Sequence, residues 1–292
     1  MRISENVVVC HAWAMAETAP PSPVEDVELP ATMRAAVRAE FSRAFHTPYE
    51  TPIVIVVNGL LMTGLWFGLP VGLQDSMFRF HGALAFPMVL ASWMISDVPA
   101  TNVLGPDRRR VSAVLDDPDQ LRRLLYAKNI VLWAVVAPLC AVVAFGVGIF
   151  TDRWPPTATT MAWILIVPMG ALGVSNWVGI RFPYHPQPLR WRWEHRRDWK
   201  RVLVRWFGLA LVPYGLVPAL AGLIMAPSLL MWAVVNDEGL TGRVGDAVFL
   251  AGVVLSSVLS VAMFFGGHRA GQALVRRRRE PLRTYLADPE LG

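Results

Sequence analysis

The sequence predicts an all-α fold: a polytopic membrane bundle of six transmembrane helices, with the N- and C-termini in the cytoplasm. Three observations predict it. Of 292 residues, 54% are hydrophobic and only 17% charged, where a soluble domain carries about 25% charge, and mean hydropathy is +0.41. Six long stretches contain no Asp, Glu, Lys or Arg. Finally, 24 of the 27 Lys and Arg residues fall on segments that one membrane face would hold.

The charge-free stretches are Thr51–Gln74, Phe80–Ser96, Asn129–Thr151, Trp154–Ile180, Trp206–Asn236 and Ala247–His268. About 20 apolar residues cross the hydrocarbon layer as a helix, which sets spans at about 51–74, 78–97, 129–151, 157–180, 206–235 and 247–268. Helix is the only spanning form the pattern fits, because no strand-length alternation is present and lipid leaves no partner for an open backbone. Pro87, Pro138, Pro168, Pro213, Pro218 and Pro227 fall inside spans and predict kinks. The fifth span, with three of them, has room for a tilt, a break or a re-entrant turn.

Orientation follows from the basic residues. Met1–Glu50, Asp97–Lys128, Arg181–Arg205 and Arg269–Gly292 hold nearly all of them, leaving Arg79, Arg153 and Arg243 for the opposite face. The positive-inside rule then places both termini and the loops 98–128 and 181–205 in the cytoplasm of a cell whose plasma membrane the chain spans. Residues 1–30 read as a disordered, Pro- and acid-rich tail without a secretory signal, and Met15 offers an alternative start.

Residues 31–48 predict an amphipathic interface helix. Met33, Val37, Phe41 and Phe45 recur every four residues, with Arg34, Arg38 and Arg43 off that stripe. Such a helix suits a membrane surface, its arginines on anionic headgroups; it also suits a surface helix packed on another loop. Arg276, Arg277, Arg278 and Arg279, in the basic cytoplasmic tail 269–292, form a second site for anionic lipid. Arg181–Arg205 interleaves basic residues with Trp191, Trp193 and Trp199. Between two spans this composition marks an interfacial belt rather than a nucleic-acid site, so no nucleic-acid partner is expected.

In loop 98–128, Asp117 precedes Pro118, a helix N-cap followed by Pro at the first helical position, and Asp119 favours the positive helix end. Leu121, Leu124, Leu125 and Lys128 lead towards the third span, predicting a short charged helix, hinged at the proline, ahead of a membrane helix. Chemistry is otherwise sparse. No phosphate loop, HExxH, GxSxG or metal-ligand cluster occurs, and no catalytic residue, metal or cofactor is expected. Cys10 and Cys140 have no paired spacing, and His185 and His195 suit solvent or aromatic packing. Asn58, Ser175 and Asn176 are the polar groups at depth, as interhelical hydrogen-bonding or pathway residues, with His81 near a span end.

Together these pieces resemble the ABC-2-type permease subunit of ABC transporters, actinobacterial type. The resemblance rests on Asn102-Val103-Leu104-Gly105-Pro106-Asp107, on Leu115-Asp116-Asp117-Pro118 with Arg122-Arg123-Leu124-Leu125-Tyr126-Ala127-Lys128-Asn129, and on Gly179-Ile180-Arg181-Phe182-Pro183-Tyr184. It covers Ala31 to the C-terminus in architecture and about a quarter of that in motifs. It implies an exporter without its own ATPase, working as a homodimer or with a paralogous permease. A separate nucleotide-binding ATPase subunit would dock on Asp116, Asp117, Asp119, Arg122 and Arg123. The short segment Asp237–Asp246 departs from many relatives, which carry a longer extracellular element there. The other reading is a non-catalytic structural or regulatory membrane subunit of a different complex. A lipid-acting intramembrane enzyme is a third, for which no catalytic constellation exists.

Overall fold

The computed structural model describes residues 30–46, 50–70, 72, 84–95, 103–185, 194 and 199–288. The tail 1–29, His81, Arg79, Thr101, Asn102, Trp191, Trp193 and His195 lie outside the described residues. Among those described, the ordered elements are all helical. They run α1 (Met33–Ala44), α2 (Glu50–Gly68), α3 (Ala85–Ile95), a 3-10 turn (Gly105–Asp107) and α4 (Arg108–Val114). Then follow α5 (Pro118–Thr151), α6 (Trp154–Arg181), α7 (Trp199–Asp237), α8 (Gly242–Arg277) and α9 (Arg279–Ala287).

Four of these are long and apolar enough to cross a membrane: α5, α6, the Gly215–Val235 part of α7, and α8. The apolar stretches Ile55–Gly68 of α2 and Phe86–Ile95 of α3 are shorter. The bundle wears its apolar residues outside as well as inside. Phe150 is 91% exposed, and Leu60, Val142, Leu230, Leu250 and Val258 are also exposed. In water such a surface would drive aggregation, whereas against lipid tails it is the expected finish.

Several elements differ from the sequence reading in extent. The charged stretch at 118–128 is no separate hinged helix: Pro118 is the first residue of α5, which continues unbroken for 34 residues through Pro138. Proline at the first helical position has no amide to lose, so it starts a helix rather than hinging one. The fifth predicted span is likewise continuous, α7 running 39 residues through Pro213, Pro218 and Pro227. α8 extends past His268 to Arg277, and α9 follows at once, so the predicted basic tail is mostly helix.

Inside the membrane region, helices associate without a hydrophobic driving force, and close backbone approach replaces it. α6 and α8 show this most clearly. A Cβ on Gly267 would collide with the backbone of Gly173, and one on Gly173 would stand 2.5 Å from the Cα of Phe264. Ser260 adds polar stitching, its hydroxyl donating to the Ile166 carbonyl at 2.6 Å and accepting from the Gly170 amide at 3.0 Å. Trp133 donates to the Leu165 carbonyl at 2.7 Å and fastens α5 to α6. A core of Ile55, Trp66, Met94, Val136, Cys140 and Leu172 joins α2 and α3 to this group.

At one end the bundle carries a polar layer with an apolar core of its own. Val111, Val114 and Leu115 pack with Leu121, Leu124 and Leu125 of α5, Val275 of α8, and Leu282, Tyr285 and Leu286 of α9. Here water does supply a driving force, about 1.5–3 kcal/mol for each fully buried Leu. The layer is therefore a small soluble-type fold mounted on membrane helices.

Candidate functional site

The five residues expected to contact an ATPase lie in this layer but do different work. Asp117 is the N-cap of α5, accepting from the amides of Asp119 (2.9 Å) and Gln120 (3.0 Å). The Gln120 amide foremost holds its carboxyl below the usual range; desolvation opposes it, and the Asp119 amide, the Gln120 side chain and the nearby Arg123 charge add to the lowering. Asp116 faces α9, taking Arg283 Nη2 on both carboxylate oxygens at 2.7 Å, with Arg279 at 3.6 Å. Arg123 donates to the Ala31 carbonyl at 2.9 Å, tying α5 to the approach of α1. Asp119 and Arg122 pair with each other at 3.0 Å and stay 70% and 52% exposed. Among the described residues, these two of the five form no bond or ion pair with another element.

A second cluster joins α1 and the 3-10 turn to α5, and sequence reasoning missed it. Asp107 meets Arg110 at 2.6 Å, Lys128 at 3.1 Å and Arg43 at 3.8 Å, and Arg110 also meets Glu40 at 2.6 Å. Lys128 donates to the Val103 carbonyl at 2.9 Å. Burial pushes the Glu40 carboxyl up; Lys128 and Arg43 pull it down and Asp107 adds to the rise, but burial wins. The local signal was the three-residue spacing of Glu40 and Arg43 and of Asp107 and Arg110. The contacts between elements had no signal. Glu40 and Ala36 form the buried face of α1, while Arg34, Arg38, Phe41 and Phe45 are exposed.

The predicted lipid-binding arginines divide as well. Arg276 and Arg277 are exposed. Arg278 caps α6 by donating to the Arg181 carbonyl at 2.7 Å, and Arg279 turns to Asp116. His185 is buried, stacks on Tyr285 with ring centroids 4.5 Å apart, and bonds the Tyr285 carbonyl at 2.8 Å. That contact locks the end of α6 to α9.

Beneath the layer, three helices meet in a buried polar group. Asn176 of α6 lies 2.9 Å from His268 Nδ1, and Asn129 of α5 lies 3.3 Å from His268 Nε2 while donating to the Leu172 carbonyl at 3.0 Å. All three side chains are at most 1% exposed. With the Asn176 amide turned so that its Oδ1 faces the ring, that oxygen accepts from Nδ1–H of a neutral imidazole. The ring then donates through Nδ1 and accepts through Nε2 from Asn129, so that both ring nitrogens are paired. Tyr126 stacks on the ring with centroids 3.7 Å apart. Of the predicted depth residues, Asn176 is thus a three-helix junction, Ser175 bonds its own helix at the Ala171 carbonyl, and Asn58 sits half-buried on α2.

Among the described residues, no group of three or more His, Cys, Asp or Glu is placed to hold a metal. No protein-family model, curated protein or solved structure matches the chain. The fold itself defines the class: an all-helical, multi-pass, membrane-embedded protein.

Proposed function

We propose that this chain is the membrane-spanning permease subunit of an ABC-2-type transporter, an exporter driven by a separate ATPase docked on the charged layer. α2 and α3 complete six spans, both termini and the layer face the cytoplasm of a plasma-membrane protein, and two copies, or one copy and a paralogue, form the path. The observation that carries the reading is the continuity of α5. Its exposed tip, Asp119 and Arg122, and its membrane-embedded half are one helix. A partner that shifts the tip therefore shifts a membrane helix, with no joint to absorb the movement. Anionic lipid at Arg34, Arg38, Arg276 and Arg277 would hold the layer against the membrane surface.

The test is co-expression with the ATPase encoded nearest to it, followed by co-purification and measurement of ATP hydrolysis in the reconstituted complex. Asp119→Lys with Arg122→Glu should abolish assembly or coupling while leaving the fold intact. Arg123 is left in place because it holds Ala31. A partner ATPase whose assembly and coupling ignored this double reversal would overturn the docking proposal. Recovery of the chain in a stable complex containing no ATPase would favour a structural or regulatory subunit.

A further inference from the structure

α5 spans about 50 Å at 1.5 Å per residue, so Arg153, just beyond its C-terminus, marks the end of the bundle remote from the charged layer. A cavity of about 290 Å³ opens there between α6, α7 and α8, lined by Arg153, Thr159, Trp163, Leu229, Trp232 and Phe249 among others. Trp163 forms a fixed wall: it is 3% exposed and its indole N–H donates to Ser228 Oγ at 3.3 Å. Trp232 is exposed at 39%. Arg153 is exposed, and among the described residues its guanidinium has no carboxylate within ion-pair distance. The neighbouring Asp152 carboxylate accepts instead from the Trp154 indole at 3.1 Å.

We propose that this cavity holds the phosphate head and first carbons of a membrane phospholipid, with Arg153 on the phosphate and Trp163, Trp232 and Phe249 along the carbons. The site demands an occupant with two chemistries. A hydrocarbon would leave the cation unpaired, and a soluble anion would leave aromatic walls in water. The guanidinium fork matches phosphate oxygens bidentately. The volume lies at the lower edge of small-molecule pockets, enough for a head and its first carbons. The same helices present Leu230 and Leu250 outward, both more than 60% exposed, so the remaining chain continues into the surrounding bilayer. The proposal depends on membrane embedding and is independent of the transport reading.

The experiment is native mass spectrometry of the full-length, delipidated protein in detergent with phosphatidylglycerol, diacylglycerol of the same chains, or inorganic phosphate added. One phosphatidylglycerol should be retained through detergent removal, diacylglycerol should not, and inorganic phosphate should not displace the lipid. Arg153→Gln should weaken that retention about tenfold, the loss of one charge-assisted contact. Leu229→Trp, which fills the cavity without touching the charge, should abolish it. Arg243→Gln, at an exposed cation near the start of α8 that does not line the cavity, should leave the site lipid in place. Equal retention by wild type, Arg153→Gln and Leu229→Trp would overturn the proposal, as would equal retention of diacylglycerol or displacement by inorganic phosphate.

Discussion

Single residues in this protein act mainly by closing gaps between helices. In the Asn129–His268–Asn176 group, removing one partner strands the others in a dry site, at a cost of about 1–2 kcal/mol. Asn176→Leu alone should therefore lower the unfolding midpoint in detergent more than additivity allows when compared with Asn176→Leu/His268→Leu. A double-mutant cycle showing no coupling would refute the network. Glu40 makes the second prediction. Burial raises its folded value, so folding favours the protonated form. The cost of burying its charge is absent below the unfolded value and full above the raised folded one. As pH falls through that raised value, wild type should therefore gain stability relative to Glu40→Gln, measured as the difference between their thermal midpoints. A difference independent of pH would contradict the burial argument. Asn176 was legible in the sequence as a polar residue at depth. Its partner His268 was not, because a contact across 92 positions leaves no mark on local spacing.

Elements were more legible than their joints. The amphipathic stripe, the Asp117–Pro118 start and the long apolar runs each depend on neighbours within a turn or two, and the helices formed there. The continuity of α5 was harder to read because charge composition changes at Asn129 while backbone geometry does not. A helix crosses a membrane boundary without noticing it. The apolar core under the charged layer also escaped notice, since α9 reaches Leu121 and Leu124 only through the tertiary fold. The start of α5 can be tested directly. Asp117 accepts two amides as a carboxylate, and its value is lowered by them, so its capping is present above its unfolded value and lost as pH falls through the folded one. Asp117→Ala should speed hydrogen exchange at the amides of Asp119 and Gln120, and Asp117→Asn, an equally good cap, should preserve protection at low pH where wild type loses it. Identical exchange in all three proteins would remove Asp117 from the role of cap.

At the scale of the whole molecule, the two ends of the bundle are built from different materials. One end carries the ion pairs of Asp107 and Asp116 over a water-type apolar core; the other has short turns, Asp152–Arg153 and Glu238–Thr241, with far fewer basic residues. A bilayer with anionic lipid and a positive-inside bias distinguishes those ends. The layer should therefore be inside, and α2 and α3, shorter among the described residues than the other four, should still cross so that the N-terminus returns to the same side. Cysteine labelling in intact cells tests this in a Cys10→Ser background, Cys140 being buried. Glu238→Cys should react with a membrane-impermeant maleimide, and Ser112→Cys and Glu280→Cys should react only after the membrane is opened; all three positions are exposed on the protein. Arg34→Cys reports whether the number of crossings is even. With six crossings it stays protected alongside position 112, because an even number of crossings separates it from the C-terminus. With α2 and α3 both lying on the surface, four crossings would give the same protection, so Phe67→Cys completes the set. Phe67 is 74% exposed, and inside a true span it faces lipid and resists the aqueous reagent from either side. Labelling of position 67 after the membrane is opened would reduce the bundle to four crossings; labelling of position 112 in intact cells would invert it.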